Sequence, residues 1–206
     1  MAQMSMNKVI HGAVRRDLAR FATALAGLRA GDRPRAIRLA TAWSYFYAEL
    51  HHHHLGEHDI VWETLTVLGA DPILLETFDA EHAALADALD AADRAFGVLA
   101  ADPAAAAIAV ARDSVAELHA VAEKHLLHEE AELEPFLAAR HGAPELKAMG
   151  RRLAQRSPRK SADFLAWVQN GASPAEKAAL RSEIPAPVVE ILGRLGLRYR
   201  RIASVF

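Results

Sequence analysis

Apolar residues return every three or four positions along most of this chain, and β-branched runs are few, a period that predicts helix almost throughout. A first helix is expected over about 7–28, with His11, Val14, Leu18, Phe21 and Leu25 on its inner stripe. Gly31-Asp32-Arg33-Pro34 interrupts the pattern and offers Asp32 as an N-cap. A second helix, about 34–68, carries Phe46, Leu50, His53, Glu57, Ile60, Thr64 and Val67 on one face. Gly69-Ala70-Asp71-Pro72 is a stop followed by a cap-and-proline start. The third helix has Leu75, Phe78, His82, Leu85, Leu89 and Phe96 in register. Asp102-Pro103 is expected to open a fourth, with Val115, Leu118, Ala122, His125, Glu129, Leu133 and Phe136 inward. Four long helices joined by short loops predict an all-α fold, an antiparallel up-down four-helix bundle.

Beyond Gly142-Ala143-Pro144 the texture changes. Short helical pieces are expected at about 144–155, 160–170, 174–183 and 186–201, separated by Ser157-Pro158, Gly171-Ala172-Ser173-Pro174 and Ile184-Pro185-Ala186-Pro187. Helices this short are marginal alone. Residues 1–142 therefore read as the bundle and residues 143–206 as a helical cap packed on it.

The inner stripes contain residues that do not belong in an apolar core. His53 and Glu57 lie four apart on one helix face, where an imidazole and a carboxylate can both reach one metal ion. His125 and Glu129 repeat the spacing. Each pair is preceded one helix earlier by a single histidine, His11 and His82, and the separations match: 42 residues from His11 to His53, 43 from His82 to His125. Each half of the chain thus supplies a His and a His-x-x-x-Glu, and sets of ligands on facing helices are how bundles build dinuclear sites. The competing reading, hydrogen-bonded core histidines, suits any one of them taken alone. It does not suit two glutamates, because an unpaired buried carboxylate costs several kcal/mol and no Lys or Arg stands beside them on the stripes.

Composition narrows the chemistry. With no cysteine among 206 residues, thiolate zinc sites, iron–sulfur clusters and disulfides are excluded, so a metal must be held by nitrogen and oxygen. Four imidazoles and two carboxylates suit Fe, Mn or Zn. The 24 Lys+Arg nearly balance the 26 Asp+Glu, which points to neither nucleic acid nor an anionic membrane as partner. No apolar run approaches the ~20 residues of a membrane span, and the start of the chain lacks a signal-peptide core, so the expected setting is cytoplasmic.

These residues resemble the hemerythrin-like, HHE cation-binding family, and in particular its bacterial members that begin His-x-x-x-Arg-Arg-Asp-Leu. Here that opening runs from His11 through Arg15, Arg16 and Asp17 to Leu18; HHHHLGEHDIVW resembles the family's second-helix motif, AEHAAL its third and HLLHEEAELEP its fourth. The tail, with Ile184-Pro185-Ala186-Pro187 and the basic segment 194–201, is similar to the same members, so the likeness spans nearly the whole chain. The resemblance implies two iron ions in a non-haem centre joined by bridging carboxylates and an oxo or hydroxo group. Its ligands would be His11, His53, Glu57, His82, His125 and Glu129. Oxygen-carrying hemerythrins have a further histidine one turn after the third-helix ligand. Here that position is Ala86, which leaves one iron either open or completed by His54. Those carriers also place the last carboxylate one residue on, at Glu130, whereas the internal repeat points to Glu129. His51, His52, His54, His58 and His128 read most simply as solvated or as supports of the ligands.

Two functions are expected from this resemblance. One is capture or sensing of O2, peroxide or nitric oxide. The other is an enzyme, decomposing peroxide or oxidising a small organic substrate with O2. Iron buffering is a third.

Overall fold

The computed structural model describes residues 4–155 and 157–206. Among them every regular element is helical. The long helices are α1 (Met6–Ala26), α2 (Arg33–Gly56), α4 (Pro72–Ala101) and α5 (Ala105–Ala138). Between α2 and α4 run a π-helical turn, Glu57–Val61, and a short α3, Trp62–Val67. The chain ends in α6 (Pro144–Leu153), α7 (Pro158–Gln169), α8 (Pro174–Glu183), α9 (Ala186–Leu195) and α10 (Leu197–Ala203). No helix of the described residues is long and apolar enough to cross a membrane.

Starts and stops follow local chemistry. The Asp32 and Asp71 side chains accept from Arg35 N–H (3.1 Å) and Ile73 N–H (2.9 Å), so both expected N-caps are made. Gly31 and Gly69 turn the chain at φ 84° and 80°, a region that favours glycine. Asp102-Pro103 does not open the fourth long helix: Asp102 closes α4, and α5 is capped by Ala104.

The long helices pack in a closed circuit, α1 on α2, α2 on α4, α4 on α5 and α5 on α1. The core is in two parts. The larger is built on Phe21, Trp43, Phe46 and Phe96, with Trp43 and Phe96 stacked at 4.4 Å and 11°. The smaller joins Val61, Trp62, Leu65, Leu75, Phe78 and Leu133. Between the two in sequence fall the polar side chains His53 and Glu57 (after Leu50, before Val61), His82 (after Phe78, before Leu85) and Glu129 (after Leu126, before Leu133), with His125 next to Leu126.

The second-helix stripe is correct up to Glu57 and only in part beyond it. Of Ile60, Thr64 and Val67, expected inside, Thr64 is buried but Val67 is 69% exposed, and Val61, Trp62 and Leu65 are buried as well. The cause is the π turn. One extra residue in a helical turn advances every later side chain by about 100°, so the inner face turns to take in 61, 62 and 65 beside 64 and leaves 67 outside.

The C-terminal helices share the larger core rather than forming one of their own. Leu165, Trp167, Leu180, Val189 and Tyr199 belong to it, with α7 and α8 on α1 and α10 on α2. They line the flank of α1 and α2: Trp167 Nε1–H donates to the buried Asp17 (2.8 Å), Arg16 pairs with Glu176, and Arg20 reaches Asp17 and Asn170. α6 lies instead against the π turn and α3, with Arg152 paired to Glu63 (2.7 Å). The last expected helix is two, α9 and α10, because Gly196 leaves the α region at ψ 60°. A Cβ there would collide with the Ala162 carbonyl and the Ala166 side chain of α7.

Candidate metal centre

All six residues expected as ligands come together, with His54 as a seventh. His11, His53, Glu57 and Glu129 form one group and His54, Glu57, His82 and His125 another, each with ligand atoms within 4.8 Å of one another. Helix geometry explains how neighbours on α2 both point inward. At about 100° per residue, Glu57 lies some 40° round from His53 and 60° back from His54, so it stands between them and belongs to both groups.

The two carboxylates tie the groups together. Glu57 Oε1 is 3.3 Å from His53 Nε2 and its Oε2 3.5 Å from His82 Nε2. Glu129 Oε2 is 3.2 Å from His11 Nε2 and 3.6 Å from His125 Nε2. Each glutamate therefore touches one histidine of either group. His82 and His125 bring their Nε2 atoms to 3.1 Å.

Carboxylates behind the imidazoles fix which nitrogen faces inward. His125 Nδ1 is 3.1 Å from Glu81, whose other oxygen takes His128 Nδ1 at 3.0 Å. His11 Nδ1 is 2.9 Å from Glu130, itself held by Arg15 at 2.7 Å, and Arg15 also grips Glu123. An Nδ1–H spent on a carboxylate leaves the Nε2 lone pair for the interior, the usual support of a metal-bound histidine. Glu129 is the carboxylate in the group and Glu130 the one behind His11, the assignment that the internal repeat favours. Trp62 lies flat on His82, 5.5 Å between centroids at 8°.

The inward atoms are unsatisfied. His11 Nε2, His53 Nε2, His54 Nε2, Glu57 Oε2 and both oxygens of Glu129 are buried without a hydrogen-bond partner. Native proteins rarely leave one such atom unpaired, because each costs ~1–3 kcal/mol; six aimed at one place point to something bound there. Protonation shows the same tension. Burial, then the neighbouring imidazoles, lowers His53 to about 3 and His82 to about 4, and holds His54 well below its ordinary value. Burial and the Glu129 charge push Glu57 well above the carboxylate range. Burial opposes charge on His11 and Glu129 too, but their attraction across 3.2 Å prevails, raising the imidazole and lowering the carboxyl. Burial also opposes the charge on Glu130, where hydrogen bonds from His11 and Arg15 prevail and bring it to about 2.

Beside the second group a cleft of about 470 Å³ opens between α2 and α4, lined by His54 and His82 and bordered by Ala83 and Ala86. Ala86 thus stands at its mouth and His54 reaches inside. His51, His52 and His58 are exposed. Glu81 and Trp62 were not foreseen, the only hint being that Glu81 adjoins an expected ligand; Glu130 was weighed as a ligand and not as the support behind His11. Compared with family models, with curated proteins and with solved structures, the chain matches none of them.

Proposed function

We propose that this chain is a non-haem diiron protein of the hemerythrin-like kind, its four long helices an antiparallel up-down bundle that holds two iron ions and binds O2, peroxide or nitric oxide. The observation that carries the reading is the set of buried, unpartnered donor atoms shared between two adjoining groups. The donors fit the ions. Two carboxylates supply negative charge to a pair of cations, burial opposes a proton on His53, His54 and His82, and the absence of sulfur suits iron over softer metals. His11, His53 and Glu129 would hold one ion and His54, His82 and His125 the other, with Glu57 between them. Two irons so held would supply the redox pair that meets the small ligand. The protein's own part is to fix the tautomers through Glu81 and Glu130 and to exclude bulk water from one side.

A second reading, an oxidase or oxygenase acting on a small organic molecule or an enzyme that decomposes peroxide, is favoured by the cleft, which is far larger than a diatomic needs. The optical spectrum of the reduced, iron-loaded protein on exposure to air separates the two. A persistent oxygenated species supports binding; immediate conversion to the oxidised form with ligand consumed supports turnover. A spectrum without iron-dependent bands in either state would remove both.

A further inference from the structure

The buried donors have one side that faces a cleft. His11, His125 and Glu129 are 0–1% exposed, whereas the His82 side chain is 11% exposed and lines the cleft together with His54. His54 Nε2, buried and without a partner, stands at its inner end. The walls are apolar and small, Leu55, Ala83, Ala86 and Leu89. The rim is charged with one sign. Asp90 accepts from Tyr47 Oη at 2.8 Å, and Asp79 accepts from Trp62 Nε1–H at 2.8 Å and meets His58 Nδ1 at 3.1 Å. Among the described residues no Lys or Arg lines the cleft, though His51 and His58 do.

We propose that this cleft is the route by which metal ions and small ligands reach the seven donors, and that Asp79 and Asp90 make it charge-selective, drawing in divalent cations, passing neutral molecules and holding back anions. The proposal rests on the metal reading above and adds to it a path and a rule for what travels along it. Two carboxylates over low-dielectric walls focus a negative potential where an incoming ion loses water, and such fields change on-rates by about 10–10³-fold. Their present hydrogen bonds do not need the charge: an asparagine in either place still offers an Oδ1 to Tyr47 or Trp62. Asp→Asn therefore removes the field and keeps the contacts.

The test uses the full-length protein stripped of metal, with cobalt(II) as the probe because its ligand-field bands report filling of a nitrogen–oxygen site. Cobalt(II) uptake and azide binding to the cobalt-loaded protein are followed by stopped flow in the wild type and in Asp79→Asn/Asp90→Asn. The expected result is cobalt uptake slowed and azide binding accelerated, each about three- to tenfold, with both differences shrinking as salt is raised. Cobalt bound per chain at equilibrium stays the same. Ala86→Phe, checked for native helix content, should slow both probes by narrowing the cleft. Full cobalt occupancy with both rates unchanged, or both moved in one direction by the Asp→Asn pair, would overturn the charge-selective route while leaving the metal centre standing. A wild-type chain that takes up no cobalt would remove the centre and the route with it.

Discussion

Glu81 connects His125 to the surface: one of its oxygens lies 3.1 Å from His125 Nδ1 and the other 3.0 Å from His128 Nδ1. His125 is 1% exposed, and this carboxylate holds its Nδ1 while the far nitrogen faces His82 and Glu129. Glu81→Ala should weaken metal binding about 10- to 100-fold, the usual effect of losing such a support, with little change in helix content. Glu130→Ala should do the same through His11. Competition against a chelator of known affinity measures both, and unchanged affinity in both would mean that the inward tautomers are set some other way.

The face of the second helix can be tested by a pair of substitutions. Leu65 is fully buried and Val67 is 69% exposed. Leu65→Ala should cost about 2–5 kcal/mol in urea unfolding, and Val67→Ala less than about 0.5 kcal/mol. The reverse order would restore an unbroken α-helical phase and dismiss the π turn.

On α2, His53→Ala should remove metal and stability together, because binding at a buried site is coupled to folding. His51→Ala, an exposed ring stacked on Tyr47, should leave the metal content intact. Equal losses would mean that the wrong side of the histidine run has been assigned to the interior.

Acid should unfold the metal-free chain early. His53 and His82 have folded values near 3 and 4 against an ordinary 6.5, so below about pH 6.5 the unfolded chain takes up protons that the folded chain refuses. Stability is then lost as pH falls from about 6.5 towards 4 and below. Glu57, raised by burial and the Glu129 charge, and His11, raised by its carboxylate neighbours against burial, act the other way, their shares being lost as pH rises. The histidines dominate in the acid window, and unfolding free energy should drop by several kcal/mol between about pH 7 and 4.5. Urea titrations of the stripped protein at the two values check this; equal or greater stability at the lower pH would contradict it.

Much of this was legible before any coordinates. The long helices follow from the apolar period, the caps at Asp32 and Asp71 from side chains that can reach a free N–H, and the meeting of the six donors from a spacing repeated in both halves. What escaped has physical reasons. A π turn depends on packing between helices and leaves no mark in composition, so the stripe beyond Glu57 was placed one residue early. His54 was legible only as one of two ways to complete an iron, because its place beside His53 does not show that both flank Glu57. Glu81 and Glu130 lie off the apolar stripes, so no periodicity marks them as supports. The break before Leu197 comes from contact with Ala162, which is distant in sequence.

The most direct measurement of the central claim is the metal content of the full-length protein purified after growth in iron-replete medium, beside Glu57→Ala and Glu129→Ala. The account predicts close to two irons per wild-type chain and a marked loss of iron in each variant, since each glutamate contacts a histidine from both groups. A wild-type chain carrying one zinc and no iron, or folding with full stability and no metal at all, would contradict it.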